Sequence, residues 1–458
     1  MAGPATTTDP ALAEATESDF TAISDALDAG DHARAKQIVE GLHHADIADL
    51  LERLPGPQRH ELIEILRPTV DPLILAELDD TIREKVIERL GVEEIAGIVA
   101  GLETDDAVDI VEELGEKTQG EILDALPDTE RSLIEQGLTY PEDSAGRLMQ
   151  RALVAVPQHW NVGQAIDHLR EESGTPTDFY VAYLVDAAHR PVGYVPLSRL
   201  LISHRHVALN AIMHADMTVI PVATDQEEVA FLFRQRDLVS APVVDAGGRL
   251  VGRITIDDVV DVIHEEAEED IMHLGGVGGE DDFYSAVFDT SRRRAVWLAV
   301  HLCAVLVGSA VIGLFRASIQ EMVALAILMP IVAALGGTAG IQTLTVTVRA
   351  IAMRELTSAN ALRLIGKEVL VGGFNGLLFA LVVGAIAWLW FDDPMLGLVI
   401  GMAMVANLLI AGVAGSAIPF VLERVGVDPA IASSPFLISL TDVMGFYVFL
   451  GLATVILL

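Results

Sequence analysis

A lone carboxylate, Asp442, stands in the apolar run "SSPFLISLTDVMGFYVFLGLATVILL". From Pro435 to Leu458 nothing else in that run is charged. A charge at mid-bilayer costs about 2.5–3.5 kcal/mol even on the lenient insertion scale, so Asp442 must face protein or water. Cation binding and proton carriage are the two chemistries open to it. The plain alternative is a protonated aspartate bonded to a neighbouring helix. No basic residue is expected to pair with it, since none stands in a span centre.

Acidic residues also cluster far upstream. "ETDDAVDIVEEL" sets Asp105 and Asp109 four apart on a helix, where like charges repel by a few tenths of a kcal/mol unless something neutralises them. In "DDVVDVIHEEAEEDIMHLGG" the acids Asp258, Asp261, Glu265, Glu266, Glu268, Glu269 and Asp270 crowd one helix, with only His264 and His273 as possible positive charges. Val259, Val260, Ile263, Ala267 and Ile271 form an apolar stripe on it. A solvated linker helix is one reading. The other is a cation-controlled surface, because carboxylate oxygens are the ligands Mg²⁺ and Ca²⁺ prefer. Facing Asp105 and Asp109, such a surface would repel when bare and close around bound ions.

These groups need elements to position them, and composition divides the chain. It has 458 residues and a net charge of −37. Residues 281–458 hold 11 acidic and 9 basic side chains, so nearly all of that charge lies in the first 280 residues. Nucleic acid is excluded as a natural partner for so acidic a part, and cations are favoured. One cysteine, Cys303, rules out an internal disulfide framework. The first residues have no basic and apolar leader pattern, and 1–22 reads as a disordered tail.

Leucines recur every 24 residues at Leu54, Leu78, Leu102 and Leu126, and again at Leu66, Leu90, Leu114 and Leu138. Each unit reads as two short helices, giving an α-helical solenoid over 23–140. From 141 to 257 a strand–helix–strand–strand order occurs twice. "LVDAAHRPVGYV" aligns with "VVDAGGRLVGRI", and the pair resembles tandem CBS domains of α/β type. In many CBS modules a Thr and an Asp three residues on hold an adenosine ribose. Thr255 and Asp258 in "ITIDD" match that pattern, whereas "VPLSR" in the first copy lacks the Asp.

Five apolar segments follow, near 294–315, 322–350, 366–391, 394–421 and 435–458, each long enough to cross a bilayer. Arg292, Arg293 and Arg294 flank the first, and Arg349, Arg354, Arg363 and Lys367 lie between the second and third. The positive-inside rule puts the acidic part in the cytoplasm and Leu458 outside. The second span carries Gly336, Gly337 and Gly340 beside Thr338, Gln342 and Thr343. Glycines permit close helix packing or a break that opens carbonyls to a cavity; the polar neighbours favour the break. Asn407 and Asn375 are either glue between helices or cavity lining. No Walker A motif, no HExxH and no paired catalytic aspartates are present, so no enzyme is indicated.

Taken in order, these pieces resemble the MgtE family of magnesium channels and transporters. The resemblance rests on "YPEDSAGRLM" at 140–149, "EEAEEDIMHLGG" at 265–276, "GGTAGIQTLTVTVRAIAMREL" at 336–356, "ANLLIAGVAGSAIPFVLERVGVDPA" at 406–430 and "SSPFLISLTDVMGFYVF" at 433–449. It implies a multidomain membrane protein: a cytosolic helical solenoid, a CBS pair, a connecting plug helix and linker over 258–290, and a five-helix transmembrane domain over 291–458. It also implies a homodimer in a bacterial-type plasma membrane, with Mg²⁺ as both cargo and effector. By resemblance, Asp442 is the pore metal residue, and Gly336, Gly337, Thr338, Gln342, Thr343 and Asn407 line the path. Asp105, Asp109, Asp225, Glu227, Asp258, Glu266, Glu269, Asp270 and Asp428 carry over as regulatory metal residues. ATP or another adenine nucleotide is implied at Thr255 and Asp258. One departure bears on selectivity. The family has polar residues where this chain has Thr338 and Ile341, so Co²⁺ is a second candidate cargo. A proton- or sodium-coupled carrier and a membrane-tethered nucleotide sensor are the alternative functions.

Overall fold

Helices begin every twelve residues through much of the N-terminal part, at His44, Gly56, Asp80, Val92, Thr104, Glu116 and Asp128. The computed structural model describes residues 10–67, 70–171, 179–277, 287–356, 360–425 and 427–458. In the first of its two units, Met1–Ile263, these helices form the solenoid. They are α1 (Pro10–Asp28), α2 (His32–Val39), α3 (His44–Arg53), α4 (Gly56–Leu66), α5 (Pro72–Ala76), α6 (Asp80–Ile87), α7 (Val92–Val99), α8 (Thr104–Glu112), α9 (Glu116–Ala125) and α10 (Asp128–Gly137).

Short polar residues start several of them. Asp71 accepts from Leu73 N and Asp79 from Thr81 N, each satisfying an otherwise orphaned first-turn donor. The repeated leucines mark helix ends. Leu54 and Leu126 are the extended residues that close α3 and α9. Leu54, Leu78 and Leu126 of the first set and Leu90 of the second are buried, whereas Leu102, Leu66, Leu114 and Leu138 are half-buried. Both sets therefore contribute to the solenoid core, the first more fully than the second.

The expectation of a disordered tail over 1–22 is corrected in part, since α1 begins at Pro10. "PALAEA" offers proline at the first helical position followed by strong helix formers. Residues 1–9 lie outside the described residues.

Two three-stranded sheets then repeat one topology. In the first, β1 (Ala155–Pro157) runs parallel to β2 (Val181–Val185), which pairs antiparallel with β3 (Pro191–Pro196). In the second, β4 (Ile220–Pro221), β5 (Ser240–Val244) and β6 (Leu250–Thr255) do the same. The register shifts at the equivalent place in each, between Leu184 and Val185 and between Val243 and Val244. Asp186 caps the first hairpin turn through Ala188 N and Arg190 N, and Asp245 caps the second through Gly247 N and Arg249 N. Helices α11 (Val162–Glu171), α12 (Leu197–Ile202) and α13 (Gln226–Arg236) complete the pair.

The acidic helix α14 (Ile256–Leu274) leaves β6 directly and ends at Gly276, whose φ of 71° suits a glycine helix stop. Its expected apolar stripe is not what it buries. Val259 and Val262 are buried, while Val260, Ile263, Ala267 and Ile271 are exposed. The linker residues 278–286 lie outside the described residues.

In the second unit, His264–Leu458, α15 (Val287–Leu314), the short α16 (Arg316–Glu321), α17 (Ala324–Ala352), α18 (Ala361–Phe391), α19 (Pro394–Val425) and α20 (Pro429–Ile456) follow. Five of these helices are long and apolar enough to cross a membrane. Their core joins Leu328 and Val332 of α17 to Ile400 and Met404 of α19 and Phe449 and Leu450 of α20.

Candidate metal-binding and transport sites

Helix α8 opens with Thr104, Asp105 and Asp106, and its amino-terminal dipole favours acids in that first turn. Asp105 is buried, and its Oδ1 has no hydrogen-bond partner. The side chain it meets is Asp258, at the start of α14. Asp258 is held there by β6: Thr255 Oγ1 donates to its Oδ2 at 2.7 Å and Thr255 N at 3.2 Å, while Gln150 Nε2 lies 3.3 Å from both oxygens.

Burial, then the Asp258 charge, pushes the Asp105 carboxyl well above the usual range. The same two causes raise Asp106 to about 7. Burial also raises Asp258, with the Thr255 hydroxyl opposing it. The geometry thus brings two predicted residues together and adds Asp106. The "DD" dipeptide was the available signal for Asp106, but an i,i+4 pattern passes over adjacent acids.

Asp109 does not join this cluster. It is exposed, and Arg83 Nη1 donates to its Oδ2 at 2.6 Å. Arg83 is itself buried and also meets Asp80 Oδ1 at 2.7 Å and Glu113 Oε2 at 3.6 Å. A guanidinium already neutralises the second member of the i,i+4 pair. Asp225 has another task, capping α13 by accepting from Glu227 N at 3.0 Å. Glu227 is exposed beside it.

A second meeting point lies at the end of α14. His273 is 7% exposed; its Nε2 stands 3.6 Å from Glu269 Oε1 and its Nδ1 3.3 Å from Asp428 Oδ2. Burial first, then the Asp428 and Glu269 charges, raise the Asp270 carboxyl, and His273 opposes them. Glu269, Asp270 and Asp428 are therefore gathered around one imidazole. Glu266 is half-buried on the same helix. Among the described residues, no group of three or more His, Cys, Asp or Glu side chains is placed to hold a metal ion, so both meeting points are incomplete as ion sites. Mg²⁺ is compatible with such incomplete sites, since it keeps several waters and takes one or two carboxylates.

In the spans, Asp442 is half-buried on α20, and His301 of α15 lies within electrostatic reach of it. His301 is an imidazole within a span, and no ion pair between it and Asp442 is formed among the described residues. The second span is also not broken: α17 is continuous from Ala324 to Ala352. Its glycines serve close packing instead. A β-carbon on Gly336 would lie 2.1 Å from Asn407 Nδ2, and one on Gly340 would lie 3.2 Å from Leu437.

Asn407 is fully buried, and its Nδ2 donates to Val332 O at 2.9 Å. It fills the space left by Gly336 and Gly445 and ties three helices together rather than facing solvent. The remaining lining candidates divide by face. Gly336, Gly337 and Thr343 are buried, whereas Thr338 and Gln342 are exposed along with Ala334, Ile341 and Thr345. That exposed row repeats at helical spacing and mixes polar with apolar groups.

Comparison with known proteins bears on the domains that carry these residues. Residues 329–452 match a family described as divalent cation transporter, 42–143 the MgtE intracellular N domain and 209–265 the CBS domain. The magnesium transporter MgtE of Thermus thermophilus is 31% identical over 441 residues, covering 95% of this chain and 98% of that protein. The magnesium transporter MgtE of Bacillus subtilis is 27% identical over 421 residues, with 92% and 93% covered. A solved structure of the cytosolic domain of the Mg²⁺ channel MgtE in complex with ATP is 29% identical. It covers 53% of this chain and 99% of that chain, with a TM-score of 0.50. With this likeness running nearly end to end through the solenoid, the CBS pair and the spans, the chain belongs to the MgtE family of magnesium transporters, a family of transporters and not of enzymes.

Proposed function

We propose that the chain is a Mg²⁺-selective channel for magnesium uptake, closed by Mg²⁺ binding to its acidic clusters. The observation that carries the gating part is the meeting of Asp105 with Asp258. Two carboxylates from separate domains are held together at an electrostatic cost that a divalent ion relieves. At low Mg²⁺ their repulsion loosens the solenoid from the CBS pair; at high Mg²⁺ bound ions hold it. Glu269, Asp270 and Asp428 act in the same sense at the end of α14, with Glu266 adding to the field.

Asp442 is the ion-facing residue of the pathway, meeting a hydrated ion through water. An inside-negative potential drives the doubly charged ion inward by about 4.6 kcal/mol per 100 mV, so no coupled ATPase is required. A homodimer is favoured by the exposed Thr338–Gln342 row of α17 and the exposed Val260, Ile263 and Ile271 of α14. Each presents groups suited to a second copy. Arginines flanking the spans favour a cytoplasmic N-terminal part. The ATP complex of the solved relative supports an adenine nucleotide at the CBS pair, with Thr255 and Asp258 as the ribose contacts.

Flux into proteoliposomes tests the reading. Mg²⁺ uptake should follow an imposed inside-negative potential without a pH gradient, and should fall as Mg²⁺ on the acidic side rises. Flux that tracks a pH or Na⁺ gradient at zero voltage would indicate a coupled carrier instead. Nucleotide binding with no flux would indicate a sensor. Neutralising Glu266, Glu269 and Asp270 together should weaken Mg²⁺-dependent protection from protease.

A further inference from the structure

Hydroxyl side chains in the described spans mostly bond within their own helix. Thr338 donates to Ala334 O at 2.8 Å, Thr345 to Ile341 O at 2.9 Å and Thr347 to Thr343 O at 2.9 Å. Ser416, Ser439, Thr441 and Thr454 likewise reach the carbonyl four residues back, Thr454 also meeting Ser318 of α16 at 2.8 Å. Thr343 departs from this habit. Its Oγ1 donates across to Glu368 Oε2 on α18, at 3.3 Å.

Glu368 lies seven residues into α18 and is 6% exposed. The adjacent Lys367 Nζ is 3.9 Å from its Oε1, but that lysine side chain is 67% exposed, so solvent screens it. A carboxyl group buried among packed helices is costly unless it is hydrogen-bonded, and so calls for a named partner. Its surroundings are tight. A β-carbon on Gly412 would lie 2.8 Å from the Glu368 carbonyl oxygen, and one on Gly415 would lie 2.9 Å from Thr343 Cβ. Helix α19 therefore presses on both members of the pair. Gly340 of α17 also packs on Leu437 of α20, about one and a half turns before Asp442. Between these two supports, turning α17 by one residue would swing its side chains by about 100°.

We infer that Glu368 is a positioning residue for ion passage: by accepting the Thr343 hydroxyl it fixes the rotation and register of α17, and so presents Thr338 and Gln342 along the pathway beside Asp442. The inference rests on the proposed pathway, and it names a residue that pathway does not contain.

The test compares initial rates of Mg²⁺ and Co²⁺ uptake by the full chain in proteoliposomes. The variants are Glu368→Leu, Glu368→Gln, Thr343→Val, Thr343→Ser and the double Glu368→Leu/Thr343→Val. Losing the charged hydrogen bond should change the Co²⁺/Mg²⁺ rate ratio about tenfold in Glu368→Leu and in Thr343→Val. The glutamine and serine variants, which keep an acceptor and a donor, should bring the ratio back. The double variant should shift it no further than either single one. Equal loss of both rates with an unchanged ratio means less folded protein only, and overturns the inference. A double-variant shift equal to the product of the single shifts also overturns it. If the unsubstituted chain moves neither ion, the proposed function fails instead. The pair is then read by thermal unfolding of the same variants in detergent: non-additive midpoints sustain the tie, and additive midpoints remove it.

Discussion

Arg83 Nη1 donates to Asp109 Oδ2 at 2.6 Å, which makes a protein cation the permanent partner of a carboxylate that the sequence offers to a metal. The guanidinium is buried while Asp109 and Asp80 remain exposed, so removing it strands hydrated rather than buried acids. Arg83→Met should therefore cost about 2 kcal/mol, below the 3–5 typical of breaking a fully buried pair. It should also make the solenoid dependent on divalent ions. Urea unfolding of the full chain should show the loss in EDTA and a partial recovery in millimolar Mg²⁺. No difference between the two media would show that Arg83 and Mg²⁺ act on separate groups.

Protons and Mg²⁺ should substitute for one another at the Asp105–Asp258 contact. Folding raises Asp105 and Asp258, and lifts Asp106 from its ordinary 3.8 to about 7. An acid raised on folding holds a proton that the unfolded chain has released, so stability falls as pH rises above about 4, and the Asp106 part of the fall is complete once pH has passed about 7. In EDTA the thermal midpoint should drop across that window. Saturating Mg²⁺, which favours the ionised acids, should flatten the curve. A midpoint that rises with pH in EDTA would contradict the burial of these carboxyls.

How far the sequence announced all this differs from element to element. The 24-residue leucine period revealed the solenoid, because stacked helix pairs must bury a recurring residue. The V-D-A turns revealed the duplicated sheets, because Asp186 and Asp245 cap the same hairpin. Spans are legible from length and apolarity alone. What stayed hidden depends on partners remote in sequence. Arg83 reaches Asp109 across 26 positions, and Glu368 reaches Thr343 across 25. No local pattern distinguishes a glycine that breaks a helix from one that receives an asparagine. The choice for Gly336 was decided by Asn407, on another helix.

That last pairing separates two adjacent glycines. At Gly336 a β-carbon would lie 2.1 Å from Asn407 Nδ2, and Asn407 is fixed by its bond to Val332 O. At Gly337 the nearest atom, Ile438 Cγ2, is 4.0 Å away. Gly336→Ala should destabilise by about 2 kcal/mol through overpacking. Gly337→Ala should be neutral or stabilise by up to about 1 kcal/mol, since alanine is the better helix former. Thermal midpoints in detergent would check both. A tolerated Gly336→Ala would mean that Asn407 can leave the junction.

Asp442→Asn isolates charge from shape at the centre of the proposed pathway. The amide is nearly isosteric, so packing on α20 and against α15 should survive, and the thermal midpoint should stay close to that of the unsubstituted chain. What is lost is the attraction between a carboxylate and a hydrated divalent ion in a low-dielectric setting, where such terms are larger than in water. Mg²⁺ influx at fixed inside-negative voltage should fall by about tenfold or more, which corresponds to losing about 1.4 kcal/mol or more of that attraction. Asp442→Glu keeps the charge but moves it outward by one methylene, so its influx should lie between the two. Full influx in the asparagine variant, with protein content matched, would remove Asp442 from the ion path and leave it as a half-buried polar residue of α20.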